Sequence, residues 1–234
     1  MKSIYYVSCL LTTLFLLVIV SCTQDNEVYS CNQEINNWVK ENKTYIQTLT
    51  RSQWCELRPS VSRPAYIAFT PSQKVRFWKE KIEEVKSLDW SKEELLHIQE
   101  VENFIVTNTQ YFRNGRLSEK EYDEIETFFV KWIKTGERKY NWTTQTAMAV
   151  VCTGYKMLDK RGNIFIPQNN KEIMSAPIML MTKETTCNCN KGSLFTCVND
   201  PFGGCEDSKP GCEETDKGCG FAFLFSCNGT CGGI

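Results

Sequence analysis

Thr70-Pro71-Ser72-Gln73-Lys74-Val75-Arg76-Phe77-Trp78-Lys79-Glu80-Lys81-Ile82-Glu83-Glu84-Val85 is the stretch on which the fold class turns. Thr70 offers an N-cap hydroxyl, Pro71 stands where a helix tolerates proline, and Gln73 is placed to close a capping box. Val75, Trp78, Ile82 and Val85 then recur at helical spacing. The same grammar appears twice more. Ser91-Lys92-Glu93-Glu94 is a second box, stapled by Trp90 and Leu95, and it opens the stripe Leu95, Ile98, Val101, Ile105. Ser118-Glu119-Lys120-Glu121 is a third, stapled by Leu117 and Tyr122, with the stripe Tyr122, Ile125, Phe129, Trp132, Ile133. Asn114-Gly115 marks the turn before it. Three boxes in register with apolar stripes predict a helical bundle.

Working outward, residues 32–49 read as an earlier helix with Ile35, Trp38, Val39, Ile46 and Leu49 on its apolar side. Thr144–Thr153 reads as a short helix stopped by Gly154. The tryptophans of the stripes are expected in the core, because a bundle of this size must bury them to offset chain entropy. His97, the one histidine, falls at the edge of an apolar face and is expected to pack between helices. Glu80, Glu83, Glu84, Glu93, Glu94 and Glu100 read as a solvated helix face. Nothing singles out a carboxylate pair for glycoside hydrolysis.

The chain has 234 residues and a formal net charge of −1, with no basic block, which argues against nucleic-acid binding. One histidine excludes multi-histidine metal sites and leaves little for histidine acid–base chemistry. No cofactor site is legible.

At the N-terminus, Lys2 precedes the apolar run Leu10–Val20. The run is shorter than the roughly 20 residues a spanning helix needs, and suits the h-region of a signal peptide. No other stretch is long and apolar enough to span a membrane. Ile19-Val20-Ser21-Cys22 followed by Thr23-Gln24-Asp25-Asn26-Glu27 resembles the lipobox of bacterial lipoproteins. The resemblance implies cleavage before Cys22, lipid on its sulfur and membrane attachment through that lipid. The acidic stretch that follows is similar to the tethers of surface-exposed lipoproteins of the Bacteroidetes.

The C-terminal part is dominated by cysteine. Of 13 in the chain, Cys187, Cys189, Cys197, Cys205, Cys212, Cys219, Cys227 and Cys231 fall in the last stretch. Gly204-Cys205, Gly211-Cys212 and Gly218-Cys219 recur at a spacing of seven, each glycine allowing a tight turn. One C-x-C, one C-x₃-C and no nearby histidine do not make zinc knuckles, so disulfides are the expectation. So small a module cannot bury enough apolar surface alone and needs its bridges. Connectivity is open. Cys31–Cys55 is a geometrically tight candidate bridge, and Cys55–Cys152 is its competitor. Gly220-Phe221-Ala222-Phe223-Leu224-Phe225 is strongly aromatic. Phe221, Phe223, Leu224 and Phe225 form a candidate contact patch for a target; the other reading is the tail's own core or a strand lying on the helices.

Two features together resemble the fulvocin C-related bacteriocin family. One is the eight-cysteine block opening with Cys187-Asn188-Cys189 behind an exported helical leader. The other is the leader phrase Tyr66-Ile67-Ala68-Phe69-Thr70-Pro71-Ser72-Gln73-Lys74, then Phe77-Trp78-Lys79. The chain departs from the pattern at its close, where three residues separate Cys227 from Cys231, and in carrying more charge. The resemblance implies no catalytic residues.

The expected organisation is mainly α, a small helical bundle followed by a small disulfide-rich module. Its parts are a lipoprotein signal peptide (1–21), a tether (22–31), a helical leader (32–153), a connector (154–186) and the eight-cysteine module (187–234). The expected function is that of an exported bacteriocin-like lipoprotein precursor, anchored at the outer membrane or cell surface. Its tail would act in interbacterial antagonism by binding a bacterial surface target, with release by cleavage in the connector. The alternative is an envelope-anchored interaction or adhesion module that is never released. A thiol-exchange enzyme is a third reading, weakened by the missing C-x-x-C.

Overall fold

The computed structural model describes residues 27–167, 204–206, 214–227 and 230–232. Helix α1 (Gln33–Glu41) begins where the Asn32 side chain accepts the Ile35 amide. The single helix expected over 32–49 is interrupted at Asn42, whose backbone leaves the helical region (φ −102°, ψ 10°). Its Nδ2 donates to the Trp38 carbonyl at 2.8 Å, which also accepts the Asn42 backbone amide at 3.0 Å, so side chain and backbone close the last turn together. A short α2 (Lys43–Ile46) follows. The expected apolar side, Ile35, Trp38, Val39, Ile46 and Leu49, is nevertheless buried.

Helix α3 (Arg51–Cys55) is opened by a complete capping box between Thr50 and Gln53, which the sequence reading passed over. Helix α4 (Pro59–Ile67) starts with proline and carries Pro64 inside it. The three expected caps are found where the residues place them. Helices α5 (Pro71–Lys86), α6 (Lys92–Thr107) and α7 (Glu119–Tyr140) start at Thr70, Ser91 and Ser118, each with both reciprocal bonds of its box. A 3₁₀ turn, Thr109–Phe112, leads from α6 towards α7. Helix α7 ends on Asn141 in the left-handed conformation (φ 57°). Trp142 then folds back over Gly136, where a Cβ would lie 2.7 Å from the indole.

Helix α8 (Thr144–Val151) is capped by Thr143. It stops at Cys152, ahead of Gly154. Gly154 has a packing role: a Cβ there would come within 2.8 Å of the Trp54 ring. The stretch 154–167, expected as a connector, packs onto the helices instead. Tyr155 and Met157 are buried, and Met157 bridges to Ile164. The rest of the expected connector, 168–186, lies outside the described residues.

Two antiparallel strand pairs follow. Strand β1 (Gly204–Glu206) pairs with β4 (Thr230–Gly232), with Cys205 opposite Cys231 in the backbone register. Strand β2 (Thr215–Cys219) pairs with β3 (Phe225–Cys227), and the loop between them contains the 3₁₀ turn Phe221–Phe223. A disulfide joins Cys219 to Cys227, with Cα atoms 5.6 Å apart. The fold is thus mainly helical, with a small C-terminal strand pair closed by that bridge. The core is continuous across both parts. Trp54, Trp78, Trp132, Phe77 and Phe129 from the helices share it with Phe221, Phe223, Leu224 and Phe225.

Both candidate bridges to Cys55 are overturned, because Cys55 is a buried free thiol. Cys31 is disulfide-bonded.

Candidate functional site

The loop Gly220–Leu224 lies in a pocket of the helical domain. Helix α3 supplies Trp54, α4 supplies Arg63 and Tyr66, and α5 supplies Trp78. The Phe223 ring stands edge-on to Tyr66 (centroids 5.0 Å, 76°) and to Trp78 (5.2 Å, 76°), with Trp54 at 6.3 Å. Edge-to-face contacts of this kind bring the positive rim of one ring to the negative face of the other. The Arg63 guanidinium lies over the Phe223 ring at 5.0 Å. Trp78 Nε1 donates to the Tyr66 hydroxyl at 3.0 Å, which in turn donates to the Ala222 carbonyl at 3.3 Å. Burial holds the Tyr66 phenol far above its usual pKa, so it stays a donor at any physiological pH.

The neighbouring rings of the loop are seated as well. Phe221 stacks on Phe129 of α7 (4.7 Å, 17°), and Phe225 stacks on Tyr122 (5.2 Å, 23°). The loop reaches these seats at a conformational cost. Ala222 (φ 49°) and Phe223 (φ 53°) both adopt left-handed backbone, worth about 1–3 kcal/mol each for a non-glycine residue. Gly220 (φ 64°, ψ −153°) occupies a region that only glycine enters readily. Burial of three aromatic side chains outweighs this, at roughly 1.5–3 kcal/mol each.

A polar edge frames the aromatic seat. Lys217 is 2% exposed, and its Nζ donates to the Tyr111 carbonyl at 2.7 Å. Lys74 of α5, also buried, donates to Asn114 Oδ1 at 3.0 Å. Burial, with Lys74 nearby, pulls the Lys217 ammonium down to about 7, and burial pulls Lys74 down to about 8. On the outside, Arg116 pairs with Glu214 at 2.8 Å and with Asp216 at 3.6 Å.

A second polar cluster fastens the 154–157 stretch. Arg51 donates twice to the Gly154 carbonyl (2.9 and 3.1 Å) and to both oxygens of Glu84 (2.8 and 3.2 Å). Glu84 also accepts the Met157 amide, and Lys81 donates to the Tyr155 carbonyl at 2.6 Å. Burial opposes the Glu84 charge, but the hydrogen bond and charge of Arg51 hold its pKa below the usual carboxylate value. Cys55 sits 3.6 Å from the Gly154 carbonyl, and burial pushes its thiol up despite Arg51. A protonated thiol of this kind is a structural side chain and a poor nucleophile.

The sequence-derived candidates divide as follows. Phe221, Phe223, Leu224 and Phe225 do not form an exposed patch. Each is at most 2% exposed, because the helical domain, larger than the tail, offers the burial that the tail cannot supply. Their contact partner is their own chain. The described part of the tail is therefore not a free-standing module. Cys219 and Cys227 are bridged. Cys22, Cys187, Cys189, Cys197 and Cys212 lie outside the described residues, as do the side chains of Cys205 and Cys231. His97 packs between helices as expected, 2% exposed, its Nε2 3.0 Å from the Trp132 carbonyl and its ring stacked on Trp132 at 4.9 Å. The glutamate face is only partly solvated. Glu84 and Glu94 turn inward, and Glu94 binds Trp142 Nε1 and Lys160 Nζ at 2.8 and 2.9 Å.

Sequence reasoning missed Lys217, which between Asp216 and Gly218 reads as an ordinary solvated lysine. It also missed the pocket itself, since Trp54, Tyr66 and Trp78 carry no mark that distinguishes a seat for the tail from general core. Among the described residues, no group of three or more His, Cys, Asp or Glu side chains could hold a metal. No helix among them is long and apolar enough to cross a membrane. No protein-family model, curated protein or solved structure matches the chain.

Proposed function

We propose that the chain is an exported, lipid-anchored envelope protein that acts by binding, with its cysteine-rich C-terminal segment working while held by the helical domain. One observation carries this reading: Phe221, Phe223, Leu224 and Phe225 are buried in the core they share with the helices. Cleaving the connector would not free such a segment. Departure would expose those four side chains and unline Trp54, Tyr66, Trp78 and Phe129, a cost of several kcal/mol. Attachment through Cys22 rests on the lipobox-like Ile19-Val20-Ser21-Cys22. The Cys219–Cys227 bridge fits an oxidising compartment.

The bacteriocin-like precursor is the second reading. The leader phrase that carries the family resemblance supplies Tyr66 and Trp78, which line the Phe223 seat, and Lys74 beside it. In that reading the helical leader is a clasp that keeps a toxic tail inactive, and the left-handed backbone at Ala222 and Phe223 relaxes on release.

Intact-mass spectrometry of the native protein from its own cells, with and without reduction and alkylation, separates the two. The first reading expects one species, acylated at Cys22 and carrying the whole tail. A separate oxidised peptide beginning near Cys187, gaining two hydrogens per bridge on reduction, overturns it in favour of the precursor.

A further inference from the structure

We propose that the seam between the C-terminal β2–β3 loop and the helical domain is a proton-gated latch, in which docking of the loop expels protons from the paired lysines Lys217 and Lys74. Both amino groups are buried where the tail meets the helices, and among the described residues each has one neutral acceptor, the Tyr111 carbonyl for Lys217 and Asn114 Oδ1 for Lys74. An ammonium carries three donors, so two on each have no partner among the described residues. Neither lysine has a carboxylate within 4.0 Å among the described residues.

The charged surroundings do not compensate. Lys217 faces Lys74 from α5, Arg113 beyond the 3₁₀ turn, Glu121 from α7 and Asp216 from its own strand. Lys74 faces Glu27, Lys43 and Asp216. The two lysines repel each other, and the acids that face them are engaged elsewhere. Arg113 binds Glu121 through both oxygens at 2.7 Å, and Arg116 lies 3.6 Å from Asp216. A buried cation without a counter-ion neutralises instead, which is why both groups titrate so low.

Lys217 belongs to the strand that carries the loop, so undocking returns it to water and to an ordinary lysine affinity for protons, and removes it from beside Lys74. Docking therefore releases protons. Folded pKa values are depressed, so the contribution to docking is fully present above about pH 10.5. It is lost as pH falls towards 7, and below that it is flat. The latch is tight in alkaline conditions and loosest at and below neutrality.

Hydrogen exchange of the full-length oxidised chain tests this, read as protection of residues 215–227 relative to their intrinsic rates from pH 6.5 to 9. One released proton makes protection grow about tenfold per pH unit, and two make it grow faster. The expected result is growth of at least tenfold per unit between pH 8 and 9. At pH 7 the loop should be less protected than α6, because the latch opens without the domain. Lys217→Met should lose about one tenfold step per unit and exceed the wild type in protection at pH 7. If Lys217→Met does not fold, Lys217→Arg, which cannot shed its proton, should lose the same step and dock more weakly at pH 9. A flat wild-type profile, an unchanged slope in the variant, or equal protection of loop and α6 at every pH overturns the proposal.

Discussion

Phe223 stands edge-on to Tyr66 with ring centroids 5.0 Å apart, although one belongs to the cysteine-rich tail and the other to the helical domain. Two parts of the chain that differ sharply in composition are thereby one packed body. The helices provide apolar surface on a scale the tail lacks, and the tail supplies rings that complete the helical core.

Phe223→Ala should destabilise the helical domain itself. The ring is 1% exposed and lined by Trp54, Tyr66 and Trp78, so its removal leaves a cavity worth about 3–5 kcal/mol. Urea unfolding followed by the helical circular-dichroism signal would show it. A midpoint equal to that of the wild type would mean that the tail is energetically separate.

Glu94→Gln should cost about 1–2 kcal/mol at pH 7, through weaker bonds to Trp142 Nε1, Lys160 and the Ser91 cap. Burial opposes the Glu94 charge, but these donors outweigh it and hold the carboxyl at about 2. A depressed carboxylate stabilises above its unfolded pKa and loses that contribution as pH falls from about 4.5 to about 2. The acid limb of the wild-type stability profile should therefore be shallower in the variant.

Arg51→Met alone should destabilise by about 3 kcal/mol or more, because it strands the Glu84 carboxylate and the Gly154 carbonyl. Adding Glu84→Gln should restore part of the loss. A double-mutant cycle on urea midpoints measures the coupling, and strict additivity would contradict the pairing.

Stability should peak at about pH 10. Burial, reinforced by Arg51, lowers Lys81 to about 7, so the native state binds fewer protons and stability rises from pH 7 towards 10.5. Burial raises Tyr66 and Tyr155, so the unfolded chain loses those protons first and stability falls at higher pH. Urea midpoints across this range would show the rise and fall, and Lys81→Met should flatten the rising limb.

Much of the helical domain was legible residue by residue. The caps at Thr70, Ser91 and Ser118 and the stripes behind them act over three or four positions, and their hydrogen bonds form within one turn. The break at Asn42 was less visible, because an asparagine that ends a helix looks like one on its surface. Gly154 reads in the sequence as a helix stop, whereas its small size answers to Phe77 and Trp54, both far away along the chain.

The helical class, the positions of the long helices, their inward faces and a C-terminal segment rich in cysteine and aromatic residues are all legible in the order of the residues. Those properties follow from local periodicity and local capping, which need no partner. Long-range packing sets where the rings of that segment go, the inward turn of Glu84 and Glu94, the free thiol of Cys55 and the burial of Lys217 beside Lys74. Each of these depends on which distant surface is near enough to bury, pair with or repel the group, and local spacing carries no information about that distance.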